Sequence, residues 1–177
     1  ATKFVNAGTI SLAGTAAQTV TGAIEDGTID VENTGGTVTF ATALGVSTIV
    51  TEIELDASTT SIFNAVIDTT LVDLNGKMTV RENNNTATGF TLADGATLII
   101  ADTIVSGEKV FLTSTAVAAA SIDNSGEIKL PSNFTNGQTI ELFEDVTNGD
   151  LAAIVIDVEA VLVDTALRTF AASSITG

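Results

Sequence analysis

One short unit recurs along the chain: a turn residue and Gly, followed by polar and apolar residues in alternation. It stands at Ala7-Gly8-Thr9-Ile10-Ser11-Leu12, Asp26-Gly27-Thr28-Ile29-Asp30-Val31, Gly35-Gly36-Thr37-Val38-Thr39-Phe40 and Asn75-Gly76-Lys77-Met78-Thr79-Val80. It returns at Asp94-Gly95-Ala96-Thr97-Leu98, Ser125-Gly126-Glu127-Ile128-Lys129-Leu130 and Asn136-Gly137-Gln138-Thr139-Ile140. Gly8 to Gly27 and Gly76 to Gly95 share one interval, and Gly36 to Gly76 is close to twice it, with a degenerate copy, Thr59-Thr60-Ser61-Ile62-Phe63, midway. Alternation over four residues gives each copy one wet and one apolar face, as a half-buried strand requires. This period of about 20 residues is the length of one coil of a parallel β-solenoid, in which no coil buries its apolar face alone and each stacks on the next.

The fold class expected is therefore all-β, a parallel β-solenoid (β-helix) with coils of about 20 residues. The alternative is an antiparallel β-sandwich, with Asn75-Gly76, Asn136-Gly137 and Asn148-Gly149 as hairpin turns. Thr is the commonest residue, and with Val and Ile it supplies side chains that pack on a pleated surface. In a solenoid the same position of successive coils forms a column at strand spacing, and Gly, Asn and Asp take the corners, where φ is positive or a side chain bonds its own backbone. At about 20 residues per coil, the chain supplies about nine coils and a rod on the order of 40 Å long. The interval between Gly95 and Gly126, holding Thr113 to Ala120, breaks the period.

Residues 1–149 are read as the solenoid-like repeat body and 150–177 as an atypical C-terminal segment serving as a cap, a donor strand or a linker to a further module. From Asp150 to Phe170 there is no Gly and Ala is frequent. The spacing of Leu151, Ile154, Val155, Val158 and Leu162 suits a helix, while the β-branched density suits strands. The abrupt start at Ala1 and the Ser- and Thr-containing end lead us to expect a module of a longer repetitive protein. The start has no signal-peptide shape, and stretches such as Thr97 to Ile100 and Leu151 to Ile156 are too short to span a bilayer.

The residue inventory narrows the chemistry. The 177 residues include 22 acidic and 6 basic side chains and no His, Cys, Trp or Tyr, for a net charge of −16. Imidazole and thiol chemistry is thus absent, and with it Ser-His and Cys-His nucleophile pairs and zinc sites built on nitrogen or sulfur. Binding to nucleic acid needs clustered Lys and Arg, so neither it nor membrane insertion is expected. No enzymatic activity is expected. A carboxylate pair of the kind that hydrolyses polysaccharides is the remote alternative, weakened by the lack of Trp and Tyr platforms for sugars. For cofactors the expectation is none, apart from Ca²⁺, which takes six to eight oxygen ligands. Its candidate ligands are Glu25, Asp26 and Asp30, beside Glu32, and Glu141 and Asp145, beside Glu144 and Asp150. Neither cluster has EF-hand spacing or the Gly-Gly-x-Gly-x-Asp nonapeptide, and solvated acids on strand faces account for both.

The segments Gly8-Thr9-Ile10-Ser11-Leu12-Ala13-Gly14, Gly35-Gly36-Thr37-Val38-Thr39-Phe40, Thr59-Thr60-Ser61-Ile62-Phe63-Asn64 and residues 130–143 from Leu130 to Phe143 carry a resemblance. Over residues 5–145 the chain resembles the passenger repeats of rickettsial-type outer-membrane surface antigens and related autotransporter adhesins. The resemblance implies an extracellular β-helix at a bacterial cell surface, with no catalytic residues to carry over. Two functions are then expected: a self-assembling structural subunit of a surface filament, sheath or surface layer, or an adhesin binding a glycan or host surface. The expected partner in the first case is the chain itself, end to end or by strand complementation, because an uncapped solenoid presents open strand edges.

Overall fold

The computed structural model describes residues 3–93, 95–105 and 108–113 and, beyond these, the backbone of strand segments up to residue 176; of the side chains after Phe111, only that of Lys129 is described. The first five turns comprise β1 (Lys3–Val5), β2 (Thr9–Leu12), β3 (Gln18–Val20), β4 (Ala23–Glu25), β5 (Thr28–Val31), β6 (Thr37–Phe40), β7 (Val50–Leu55), β8 (Thr60–Phe63), β9 (Asp68–Leu74), β10 (Lys77–Val80), β11 (Asn85–Leu92) and β12 (Thr97–Ile100). After them come β13 (Lys109–Thr113), β14 (Ile122–Asn124), β15 (Glu127–Lys129), β16 (Thr139–Asp145), β17 (Ile154–Ile156), β18 (Val161–Val163), β19 (Thr169–Phe170) and β20 (Ile175–Thr176).

The strands stack into a parallel β-solenoid. One sheet, here the acidic sheet, runs β2-β5-β7-β9-β11-β13-β16-β19, with β14, β17 and β20 continuing it alongside. The second, the threonine sheet, has seven strands in the order β3-β6-β8-β10-β12-β15-β18. A third side is formed by β1 and β4 and continues as single bridges from Ile24 to Leu44 and from Leu44 to Ile67. Every pairing described is parallel, which overturns the antiparallel sandwich. Asn75-Gly76 is accordingly a corner between the two sheets: the Asn75 amide donates to Leu55 O of the preceding turn at 2.9 Å, and that of Lys77 to Thr59 O at 2.9 Å.

The repeated unit marks strand starts in both sheets. Gly8 and Gly27 open β2 and β5, which pair with Thr9 opposite Thr28, while Gly76 and Gly95 precede β10 and β12, which pair with Lys77 opposite Thr97. The degenerate copy is β8, lying between β6 and β10 as its midway position requires. The register then lengthens. Thr97 lies opposite Glu127, and Glu127 opposite Val161; both steps are longer along the chain than that from Lys77 to Thr97, so the chain forms fewer than nine coils. Two strands take the place of one in this stretch: β11 pairs with β13 at Asn85 and Thr86 and with β14 at Phe90 to Leu92, and both β13 and β14 fall within the Gly95–Gly126 interval that breaks the period. In the C-terminal segment, Ile154–Ile156 and Val161–Val163 are strands, which settles for those residues the choice between helix and strand.

Inward side chains form columns. Ile10, Ile29, Ile53, Val72 and Phe90 make one, and Leu12, Val31, Leu55, Leu74 and Leu92 another. The threonine sheet contributes Val20, Phe40, Phe63, Val80 and Ile100, in which the Phe40 and Phe63 rings stack with centroids 4.6 Å apart and planes 6° apart. Each fully buried aliphatic or Phe side chain of this kind contributes about 1.5–3 kcal/mol. Strict alternation fails at one place in each long strand. Thr51 and Glu52, Thr70 and Leu71, and Thr88 and Gly89 are consecutive residues outside the core, and there the strand turns the corner from the third side into the acidic sheet.

Corner chemistry is more varied than a positive-φ rule. Asp26, Ser58 and Asn84 take positive φ, as do Gly27 and Gly45. At Gly76, by contrast, the requirement is close approach: a Cβ there would lie 2.5 Å from Asp56 O. Two buried Asn side chains tie coils together. Asn33 donates to Ala16 O at 2.7 Å and accepts from the Gly36 amide at 2.9 Å. Asn85 accepts from the Ile67 amide at 2.9 Å on one side and donates to Val110 O at 2.9 Å on the other.

Candidate functional site: the first described coil

The first described coil is built like those that follow, and among the described residues a coil covers it on one side only. Ile10, Leu12 and Val20 point inward in the same columns as Ile29, Val31 and Phe40, yet they are half-buried where those three are buried. Together with Phe4, Thr21 and Ile24 they line a cavity of about 450 Å³ at the end of the coil. Phe4 stands over it with 60% of its surface exposed. β1, β2 and β3 are each first in their sheets, so three parallel strands leave one edge of N–H and C=O groups unpaired among the described strands. Such an edge next to an apolar basin is a template for another strand layer.

Lys3 and Glu25 fix the third side of this end. The Glu25 carboxylate is buried and accepts the amides of Ser47 and Thr48 at 2.9 and 2.5 Å, with the Lys3 ammonium 3.7 Å away. Burial pushes the carboxyl upward, but the Thr48 and Ser47 amides and Lys3 outweigh it and hold Glu25 below its ordinary value. Glu25 thus stays ionised to cap the loop of the next coil. Gly45 starts that loop with φ +74°, and a Cβ there would collide with Asp68 O.

The calcium candidates are spread over different structures. Glu25 is committed to the loop amides, and Asp26 accepts from the Gly27 amide at 2.8 Å. Asp30 lies on the outer face of the acidic sheet in one column with Glu54 and Asp73, flanked by Glu32, Glu52 and Asp56. Burial first, then the neighbouring acids, Glu32 foremost at Asp30 and Asp30 foremost at Glu54, raise both carboxyls above their ordinary values. Glu141 and Asp145 lie on β16, and their side chains are outside the described residues, as are those of Glu144 and Asp150. Among the described residues no group of three or more acidic side chains converges to hold a metal ion. Among them, too, no helix is long and apolar enough to cross a membrane.

What the fold defines is a parallel β-solenoid whose first described coil borders an apolar basin. No protein-family model, no curated protein and no solved structure matches the chain. The repeat period implies open ends in general but not which side chains line this one. The signal available was that Phe4 and Val5 precede the first repeat unit and pair with Ile24 and Glu25 one coil later.

Proposed function

We propose that the chain is a non-enzymatic structural module whose copies join end to end, coil on coil, in an extracellular surface filament, sheath or layer. The observation that carries this reading is the first described coil: among the described strands, β1, β2 and β3 each leave one edge unpaired beside an apolar basin. Its occupant is the last coil of a second copy, because β18 and β19 stand at the opposite ends of the same two sheets and run in the same direction. Joining β19 to β2 and β18 to β3 makes a heterologous head-to-tail contact, and such contacts propagate as open filaments unless they close into a ring. The extracellular setting is supported by the resemblance to surface-antigen passenger repeats and is compatible with a chain lacking Cys.

Electron microscopy of the purified protein tests the proposal. Fibres or ordered sheets are expected from the wild type, and their loss is expected from Leu12→Glu, which places a charge in the basin while leaving the remaining columns intact. Monodisperse wild-type particles that bind a glycan array would instead favour the adhesin.

A further inference from the structure

Asn83 and Asn84 lie in the corner after β10, Asn85 opens β11, and Thr86 follows it. Asn84-Asn85-Thr86 is an Asn-x-Thr sequon, the sequence read by enzymes that attach sugars to asparagine. A second sequon, Asn133-Phe134-Thr135, falls outside the described residues. The corner at Asn84 differs from those of the two preceding coils. There, three residues, Ala41 to Ala43, join Phe40 to Leu44, and three, Asn64 to Val66, join Phe63 to Ile67, with Phe40 opposite Phe63 and Leu44 opposite Ile67. In the next coil Val80 is opposite Phe63, and Asn85 falls in line with Ile67 because Thr86 is opposite Asp68, yet four residues, Arg81 to Asn84, join them. The added length is taken up at Asn84, where φ is +55°. Both neighbours are anchored. Asn83 Nδ2 donates to Glu108 Oε1 at 2.8 Å, while the buried Asn85 donates to Glu82 O at 2.6 Å and Val110 O at 2.9 Å. Asn84 between them is exposed, and its side chain makes no hydrogen bond among the described residues. A left-handed corner admits Gly, Asp or Asn, but of these only Asn with Thr two residues on offers an amide that accepts a sugar.

We propose that Asn84 is a glycosylation site, which takes an N-linked sugar from a diphosphate-activated donor through a transferase acting in trans. The proposal rests on the extracellular setting proposed above, since such glycans belong to surface loops of secreted proteins. In the transfer, Asn84 Nδ2 forms a bond to the anomeric carbon of the sugar. The bond from that carbon to the diphosphate oxygen breaks, its electron pair leaves on the diphosphate carrier, and an amide proton passes to a base of the transferase. In the folded coil the Thr86 hydroxyl donates to the Asp68 carboxylate within β11, so the transferase reads it before the corner closes. The closed corner then leaves the modified amide in solvent, because the added residue stands outside the columns that hold Asn83 and Asn85. Asn84 is on the flank of the stack, well away from β1, β2 and β3. A bulky, solubilising sugar there leaves the end contact free.

Export of the full chain from a host that carries out N-glycosylation tests the site, with a secretory leader in front and a flexible tail behind whose single control sequon reports contact with the transferase. Peptide mapping by mass spectrometry of the folded, tail-occupied protein is expected to find a sugar on Asn84 in most molecules. Asn84→Gly, which keeps the left-handed conformation, should remove that sugar, and Thr86→Ser, which keeps the hydroxyl, should retain it. Asn83→Gln should retain it too, since residue 83 is no part of the sequon. Far-ultraviolet circular dichroism confirms that each variant is folded. A bare Asn84 on molecules whose tail is occupied overturns the proposal. So does a sugar on Asn84 that is found only in aggregated chains, because the closed corner then rejects it. Electron microscopy of the same preparation keeps the two proposals apart: an occupied Asn84 without fibres counts against end joining and supports the site, whereas fibres with a bare Asn84 overturn the site alone.

Discussion

At the residue scale, stability rests on which small groups the coil encloses. Ser61 occupies an inward column between Val38 and Met78, is fully buried, and its hydroxyl has no hydrogen-bond partner among the described residues. A buried unsatisfied polar group costs about 1–3 kcal/mol. Ser61→Ala is therefore expected to stabilise the protein by about 1 kcal/mol in urea denaturation; a lower midpoint would show that the hydroxyl has a partner after all. Glycines divide in the same way. Gly95 takes φ +78° with nothing within 4 Å of an added methyl, so Gly95→Ala should cost only the left-handed conformation, about 1–2 kcal/mol. Gly45→Ala adds a collision with Asp68 O to a similar φ, and its loss should exceed that of Gly95→Ala clearly in the same assay. Neither distinction was legible in the sequence. Both glycines look alike there, and Ser61 reads as one more polar residue in a Thr-rich strand, because only the register says which atoms of another coil lie opposite.

At the element scale, the acidic sheet makes stability depend on pH. Asp30 and Glu54 titrate above their ordinary values, since burial and the carboxylates of Glu32, Glu52, Asp56 and Asp73 disfavour ionisation. Their contribution is fully present below the unfolded-state values near 4 and is lost as pH rises through the raised folded-state values. Glu25 has the opposite sign: its contribution is present above the unfolded value and lost as pH falls through its lowered one. Tm should rise as pH falls from neutrality through the raised folded-state values toward the unfolded-state values near 4, and fall below them as Glu25 protonates; Asp30→Asn with Glu54→Gln should flatten the rise. A wild-type Tm that does not rise anywhere between pH 7 and about 4 would contradict the ladder. The strands themselves were legible, because alternation and the Gly-marked unit both depend on local sequence. Their long-strand corners were not, since two consecutive outward residues such as Thr51 and Glu52 break the alternation for a reason that lies in the next coil. The lengthening after Ile100 was visible only as a missing repeat.

At the scale of the whole molecule, a stack of coils is one-dimensional, and its interior ends where the stack does. The sequence period implied open edges, whereas the lining of the N-terminal basin by Phe4, Ile10, Leu12, Val20 and Ile24 emerged only from the stacking register. The first calcium candidate cluster is spread out for the same reason. Neighbours in sequence such as Glu25 and Asp30 belong to different sides of one coil, while Asp30 and Glu54, distant in sequence, are on adjacent strands. Amide hydrogen exchange as a function of protein concentration tests the central claim most directly. If the open end accepts another coil, amides of Thr9–Leu12 and Gln18–Val20 become protected as concentration rises, and Leu12→Glu abolishes that gain. Unchanged exchange in both strands at every concentration, with or without assembly, would contradict coil-on-coil joining.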